Sequence, residues 1–212
     1  MTVSPRLPAG PTGWMVAASA LALGMLSLLA AQGALKGADQ RVAAWVLPLR
    51  SPSLEGPMQA LAWFGGSTWT ALALLGFSAL AWRRRGKAGA LVLAAAFAVG
   101  ALLQVLLRLW VSQWRPDVGV IPVSLDPLTH VHLAGFPSGH AYRSAFIFGW
   151  IAREVAGTRW TRLLTWGCAG MIGAVGITRL ALNRHWTSDV LGGWLVALTV
   201  LSLARWWEAR AR

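Results

Sequence analysis

The chain has 212 residues, of which 56% are hydrophobic and only 12% charged, with 14 tryptophans and a formal net charge of +12. An average soluble domain carries about 25% charged residues, and tryptophan concentrates at membrane–water boundaries, so this composition excludes an ordinary water-soluble globule. The basic excess is split into short clusters beside apolar runs, which argues against a nucleic-acid surface and leaves none expected as a partner.

Residues 7–35 carry no charge, 51–82 carry only Glu55, and 88–107, 163–178 and 190–204 carry none. A bilayer-spanning helix takes about 20 mostly apolar residues. The runs predict an all-α, polytopic membrane protein: six transmembrane helices in one bundle and one domain over 1–212, with spans at about 14–35, 58–82, 88–107, 137–153, 162–179 and 187–206. The first run exceeds the roughly 7–15 apolar residues of a cleaved signal core, so it is expected to be a retained helix. Between the first two spans, Pro48, Pro52 and Pro57 mark a loop, within which 42–47 is expected to lie along the interface as a short helix. The segment 108–136 contains Pro116, Pro122 and Pro127, which oppose continuous helix. Gly65-Gly66-Ser67, and Gly167, Gly170, Gly173 and Gly176 at every third position, read as surfaces for close helix packing. Cys168, the only cysteine, is expected to pack as a small residue.

Basic residues favour the cytoplasmic face. Arg6, then Arg83, Arg84, Arg85 and Lys87, then Arg153, Arg159 and Arg162, then Arg205, Arg210 and Arg212 all fall on one side of the six-span layout. Lys36, Arg41 and Arg50 fall on the other. Both termini are therefore expected inside. All four histidines, His130, His132, His140 and His185, then lie on the outer face.

Three fragments also reach that face: Arg108-x6-Arg115-Pro116, Pro137-Ser138-Gly139-His140, and Arg179-x5-His185-x3-Asp189. If the helix continues, Arg108 and Arg115 are about two turns apart and face one way. Guanidinium groups grip phosphate through paired, charge-assisted hydrogen bonds, although an arginine at a span end also snorkels to headgroups. Pro137 suits the first turn of a helix whose start offers free N–H groups and a positive dipole end. Ser138 adds a hydroxyl donor, Gly139 admits an anion close to the backbone, and His140 can act as acid or base; the same tetrapeptide also suits a plain helix cap. His185 and Asp189, spaced i, i+4, stack on one helix face, as a catalytic pair or as a solvated polar pair. His140, His185 and Asp189 can also ligate zinc, but three arginines would crowd a cation; no metal and no cofactor is expected. Arg143, one turn beyond His140, is a possible substrate contact, since an ionisable group at that depth is a functional candidate. His130 and His132 read as loop residues, and Trp110, Trp114 and Trp186 as interfacial anchors.

In order and spacing the fragments resemble the type 2 phosphatidic acid phosphatase family, related to vanadium haloperoxidases and glucose-6-phosphatase, whose pattern is K-x6-R-P, P-S-G-H and S-R-x5-H-x3-D. Arg115, Pro116, Pro137, Ser138, Gly139, His140, Arg179, His185 and Asp189 match it. Arg108 stands in place of lysine and Thr178 in place of serine. The resemblance implies that His185 attacks phosphorus, Asp189 orients it and His140 protonates the leaving oxygen. It implies that Arg108, Arg115, Ser138, Gly139 and Arg179 hold the phosphate oxygens, without a metal. The expected activity is hydrolysis of a lipid phosphomonoester or diphosphate at the periplasmic or outer face of a bacterial-type inner membrane. Candidate substrates are undecaprenyl diphosphate, phosphatidic acid, phosphatidylglycerophosphate and lipid A phosphate. Two further readings share the site: a lipid phosphotransferase, and a non-catalytic protein that binds lipid phosphate. In all of them the partners are a lipid phosphate and the surrounding membrane lipids.

Overall fold

The computed structural model describes residues 13–118 and 126–211. Arg6, Pro122 and Arg212 lie outside them. Eight helices follow in order: α1 (Gly13–Ala31), α2 (Lys36–Val46), α3 (Pro52–Trp63), α4 (Ser67–Val111), α5 (Pro127–Leu133), α6 (Gly139–Glu154), α7 (Thr161–Ala181) and α8 (Thr187–Arg210). The described residues hold no strand; a single bridge pairs Trp114 with Ala134. Four stretches are long and apolar enough to cross a membrane: Gly13–Ala31, Pro52–Val111, Thr161–Ala181 and Thr187–Arg210.

α6 is the centre of the bundle and packs chiefly against α7 and α8. Tyr142, Phe146, Ile147 and Trp150 of α6 are buried with Leu93, Val196 and Val200. Outward-facing leucines such as Leu21, Leu75 and Leu91 are largely exposed. A protein surrounded by lipid tails has no reason to hide them.

As one straight rod, the 45 residues of α4 would run about 65 Å at 1.5 Å per residue. Instead the backbone leaves the helical region at Gly86 (φ 70°, ψ −169°). A glycine tolerates that conformation where a side chain would be strained. Gly65, just before α4, and Arg108, near its end, both touch the N-terminal end of α6, while Arg85 pairs with Glu154 at the other end. The halves 67–85 and 87–111 therefore run in opposite directions, with the basic cluster at the bend.

Several expectations need correction. The predicted span 58–82 is not continuous: it breaks at Phe64–Gly66, between α3 and α4. Gly65 forms part of that turn, and a Cβ there would lie 2.7 Å from the His140 carbonyl oxygen. Among the described residues the α7 glycine stripe is not a packed seam. Gly167, Gly170 and Gly173 face open space, and only Gly176 packs tightly, against Trp194 and Val190. The helix expected at 42–47 is longer and runs from Lys36 to Val46.

Candidate active site

The three fragments meet at the end of the bundle where α4 finishes and α6 and α8 begin. α4 ends at Val111, and Ser112 turns the chain with a left-handed backbone (φ 52°). Arg115 therefore reaches the site from a loop, not from the same helix face as Arg108. Gln113 and Trp114 are held in that loop. The Gly135 N–H donates to the Gln113 carbonyl at 2.6 Å, and the Trp186 indole donates to the Trp114 carbonyl at 2.8 Å. His130 caps the end of α4: its Nε2 lies 3.2 Å from Ser112 Oγ and 3.3 Å from the Arg108 carbonyl oxygen. That role leaves it structural, and His132 is exposed.

Pro137 precedes the helix instead of occupying its first turn. Ser138 is the N-cap of α6; its Oγ accepts from the Ala141 N–H at 3.4 Å, which leaves the hydroxyl proton free to donate. Gly139 opens the helix beneath two guanidinium groups. A Cβ at this position would lie 3.0 Å from Arg143 Nη1 and 3.2 Å from Arg108 Nη2. Arg108 is braced from behind, donating to the carbonyls of Val131 at 3.2 Å and Pro137 at 3.3 Å. Arg143 donates through Nε to the Gly65 carbonyl at 2.7 Å, and its Nη2 lies 3.4 Å from His140 Nδ1. Arginine only donates, so Nδ1 accepts and the His140 proton resides on Nε2.

His185 precedes α8 and Asp189 sits in its first turn, so the pair meets across the helix start, not on a helix face as the i, i+4 spacing suggests. His185 Nδ1 lies 3.1 Å from Asp189 Oδ2, and both side chains are buried. The same Oδ2 accepts the Trp186 N–H at 2.9 Å, and Oδ1 accepts from Gln113 Nε2 at 2.7 Å. A carboxylate holding Nδ1–H leaves Nε2 as the free lone pair. Gly135 must be small, because a Cβ there would lie 2.7 Å from Asp189 Oδ2. The second and third fragments are tied directly by the Ser138 N–H, which donates to the Asp189 carbonyl at 2.9 Å.

The charge around this pair is positive. His185 is held well below the usual imidazole range, first by burial and then by the charges of Arg115, Arg179 and Arg108. Burial and three arginines outweigh the adjacent carboxylate, so the ring is neutral at neutral pH. Arg108, Arg115 and Arg179 each keep a buried Nε with no protein partner, and none is paired with a carboxylate among the described residues. Unpartnered buried donors cost about 1–3 kcal/mol each unless something accepts from them. Their chemistry suits an oxyanion. Among the described residues no cluster of three His, Cys, Asp or Glu side chains is arranged to hold a metal.

The family model for the PAP2 superfamily matches residues 88–212, more than half of the chain and all three fragments. The chain belongs to the PAP2 superfamily. Phosphatidylglycerophosphatase B of Bacillus subtilis is 26% identical over 184 residues, spanning 84% of this chain and 87% of that protein. A crystal structure of a transmembrane PAP2-type phosphatidylglycerolphosphate phosphatase from the same organism superposes with a TM-score of 0.79 at 22% identity, covering 94% of this chain and 98% of that one. LpxE of Aquifex aeolicus superposes with a TM-score of 0.57 at 19% identity, covering 77% and 93%. Together with the apolar helices, these likenesses make this a multi-pass helical membrane protein of the PAP2 superfamily.

Three residues of this PAP2 site escape a motif search: Gln113, Asp39 and Gly65. Asp39 of α2 is buried and accepts from the Ser188 N–H at 2.9 Å and the Ser188 hydroxyl at 2.6 Å. The one available signal was rarity: Asp39 is among only seven acidic residues in the chain.

Proposed function

We propose that this protein is an integral-membrane lipid phosphatase that hydrolyses a lipid phosphomonoester or diphosphate through a phosphohistidine, without a metal. The observation that carries this reading is the pairing of His185, buried and neutral with Nδ1 engaged by Asp189, with three arginines whose Nε donors have no partner among the described residues.

In this reading the phosphate oxygens accept from Arg108, Arg115, Arg179, the Ser138 hydroxyl and the Gly139 N–H. Preorganised donors of this kind carry most of the catalysis in phosphoryl transfer. His185 Nε2 attacks phosphorus as the bond to the lipid oxygen breaks, and His140 Nε2–H gives its proton to that oxygen. His140, left as an imidazolate beside the Arg143 guanidinium, takes a proton back from the attacking water. The hydroxide then displaces His185 from phosphorus, releasing phosphate. Arg143 fixes the His140 tautomer, a role that stands beside the substrate contact its sequence position suggests. General-acid help of this kind is worth about 10²–10⁴-fold.

The folding back of α4 at Gly86 supports six membrane crossings: α1, α3 with 67–85, 87–111, α6, α7 and α8. The basic cluster at that bend supports an inside location for it and for both termini, with the site opening to the periplasm or exterior. Phosphatidylglycerophosphate enters the substrate class through the B. subtilis relatives, beside polyprenyl diphosphates and lipid A phosphate.

The test is phosphate release from a panel of these lipids by purified protein in excess chelator. Release is expected, and His185→Ala should lower kcat by about 10³-fold or more and abolish any acid-labile phosphoenzyme. A strict requirement for divalent metal, or full activity in His185→Ala, would exclude this mechanism.

A further inference from the structure

The hydrogen bonds behind Asp189 form one directed chain that leads out of the motifs and into α2. Gln113 Nε2 donates to Asp189 Oδ1 at 2.7 Å and to Ser188 Oγ at 2.9 Å, which uses both amide protons. Only the NH2 end of the amide can face a carboxylate in this way, so the orientation of Gln113 is settled by its partners. Ser188 Oγ accepts from Gln113, and the Ser188 hydroxyl donates to Asp39 Oδ2 at 2.6 Å. Asp39 Oδ1 accepts the Ser188 N–H at 2.9 Å, placing an anion at the N-terminus of α8. Asp39 and Ser188 are 149 positions apart, and Asp39, Ser188 and Asp189 are all buried.

The direction of the chain matters. Asp39 accepts only, so the Ser188 hydroxyl must donate to it, and its lone pair must then face Gln113. Gln113 in turn presents N–H to Asp189, which keeps that carboxylate an acceptor and so keeps the His185 proton on Nδ1. We infer that Gln113 and Asp39 are positioning residues that set the His185 tautomer through Ser188 and Asp189. This inference rests on the phosphohistidine reading for its kinetic consequence, but not for its structural one.

The structural consequence is read by ¹⁵N-imidazole NMR of the detergent-solubilised protein without substrate, with His185 assigned by its disappearance in His185→Ala. The native chain should show His185 protonated at Nδ1, and Gln113→Leu should shift a large share of it to Nε2. Retention of the Nδ1–H form in Gln113→Leu overturns the inference, whatever happens to activity. Gln113→Met keeps the length and removes both donors without adding a charge, so a role in packing alone predicts a native-like protein, whereas the inference predicts the same loss of the Nδ1–H form. It also serves if Gln113→Leu does not fold.

In lipid phosphate hydrolysis, both Gln113 variants should lower kcat by about 10- to 100-fold, the rate equivalent of one lost hydrogen bond to a charged group, with KM within about twofold. Asp39→Asn places a donor against Ser188, reverses the chain, and should lower kcat by about three- to tenfold. Unchanged kcat in the Gln113 variants of an active enzyme likewise overturns the inference. Absence of phosphate release by the native protein defeats the phosphatase reading instead, and leaves the NMR outcome to judge this one.

Discussion

Arginines cluster at both ends of this bundle, but they are held differently. At the end where α6 and α8 finish, Arg85 donates to Glu154 at 2.7 Å, and Arg153 pairs with Glu208 and stacks over Trp150 at 4.3 Å. Arg153 is only 4% exposed, yet its charge is answered by the protein itself. At the other end, Arg108, Arg115 and Arg179 have no carboxylate partner among the described residues, while the fully buried Asp189 spends its oxygens on Gln113, Trp186 and His185. The difference separates arginines that hold helices together from arginines whose charge no carboxylate of the described residues answers, which is what the proposed phosphate site requires. Charge alone does not make the distinction; the location of the carboxylates does.

Substitutions at the two ends should therefore have opposite signatures. The largest expected effect is from Arg115→Ala or Arg179→Ala, which removes a donor to the transferring phosphoryl group and should cost about 10²–10³-fold in kcat/KM with little change in thermal midpoint. Steady-state kinetics and a melting curve on the same preparation check both halves. Arg153→Ala should do the reverse, destabilising by about 2–3 kcal/mol because its charged hydrogen bond to Glu208 and its stacking on Trp150 are lost, while the folded fraction keeps kcat/KM within about threefold. If both substitutions behaved alike, the division between the two ends would collapse.

Gly139→Ala tests the cradle itself. A methyl group at 3.0 Å from Arg143 Nη1 and 3.2 Å from Arg108 Nη2 forces the guanidinium groups aside. A loss of about tenfold in kcat is expected, since misplacement by a fraction of an ångström already costs catalysis. Arg108→Lys should be milder, about two- to tenfold, because charge remains while the brace to the carbonyls of Val131 and Pro137 is lost.

The smallest effect concerns pH. His185 is depressed below the ordinary imidazole value of about 6.5, so it stays neutral and nucleophilic as the pH falls through that value. The acid limb of kcat/KM that belongs to its protonation should lie below about pH 6.5. Removing a depressing charge, as in Arg115→Ala, should move that limb upward. A pH–rate profile of the two proteins measures the shift, and a limb that moves downward would contradict the assigned electrostatics.

Much of the arrangement was legible in the amino-acid order. Long uncharged runs marked the apolar helices because a lipid-facing segment tolerates almost no charge along its length. The three fragments stood out because nearly every polar group elsewhere had been removed, and Gly86 lies inside the basic cluster that separated the second and third runs. Local backbone detail was less legible. Hydropathy averages over a window, so it passed over the break at Phe64–Gly66, where both flanking segments are equally apolar. The same averaging placed Pro137 inside a helix that starts at Gly139, and it gave no sign of the turn at Ser112 that puts Arg115 in a loop.

By itself the sequence determined the membrane-spanning class and the chemistry on offer: guanidinium groups, two imidazoles and a carboxylate at fixed spacings. Only the tertiary structure decided which arginines have no carboxylate partner among the described residues, that His185 meets Asp189 across a helix start, and that Asp39 and Gln113 stand behind them. The reason is physical. Residue type and short spacing are local properties, whereas the partner of a buried charge is chosen by packing across segments as distant as α2 and α8, and no local pattern records it.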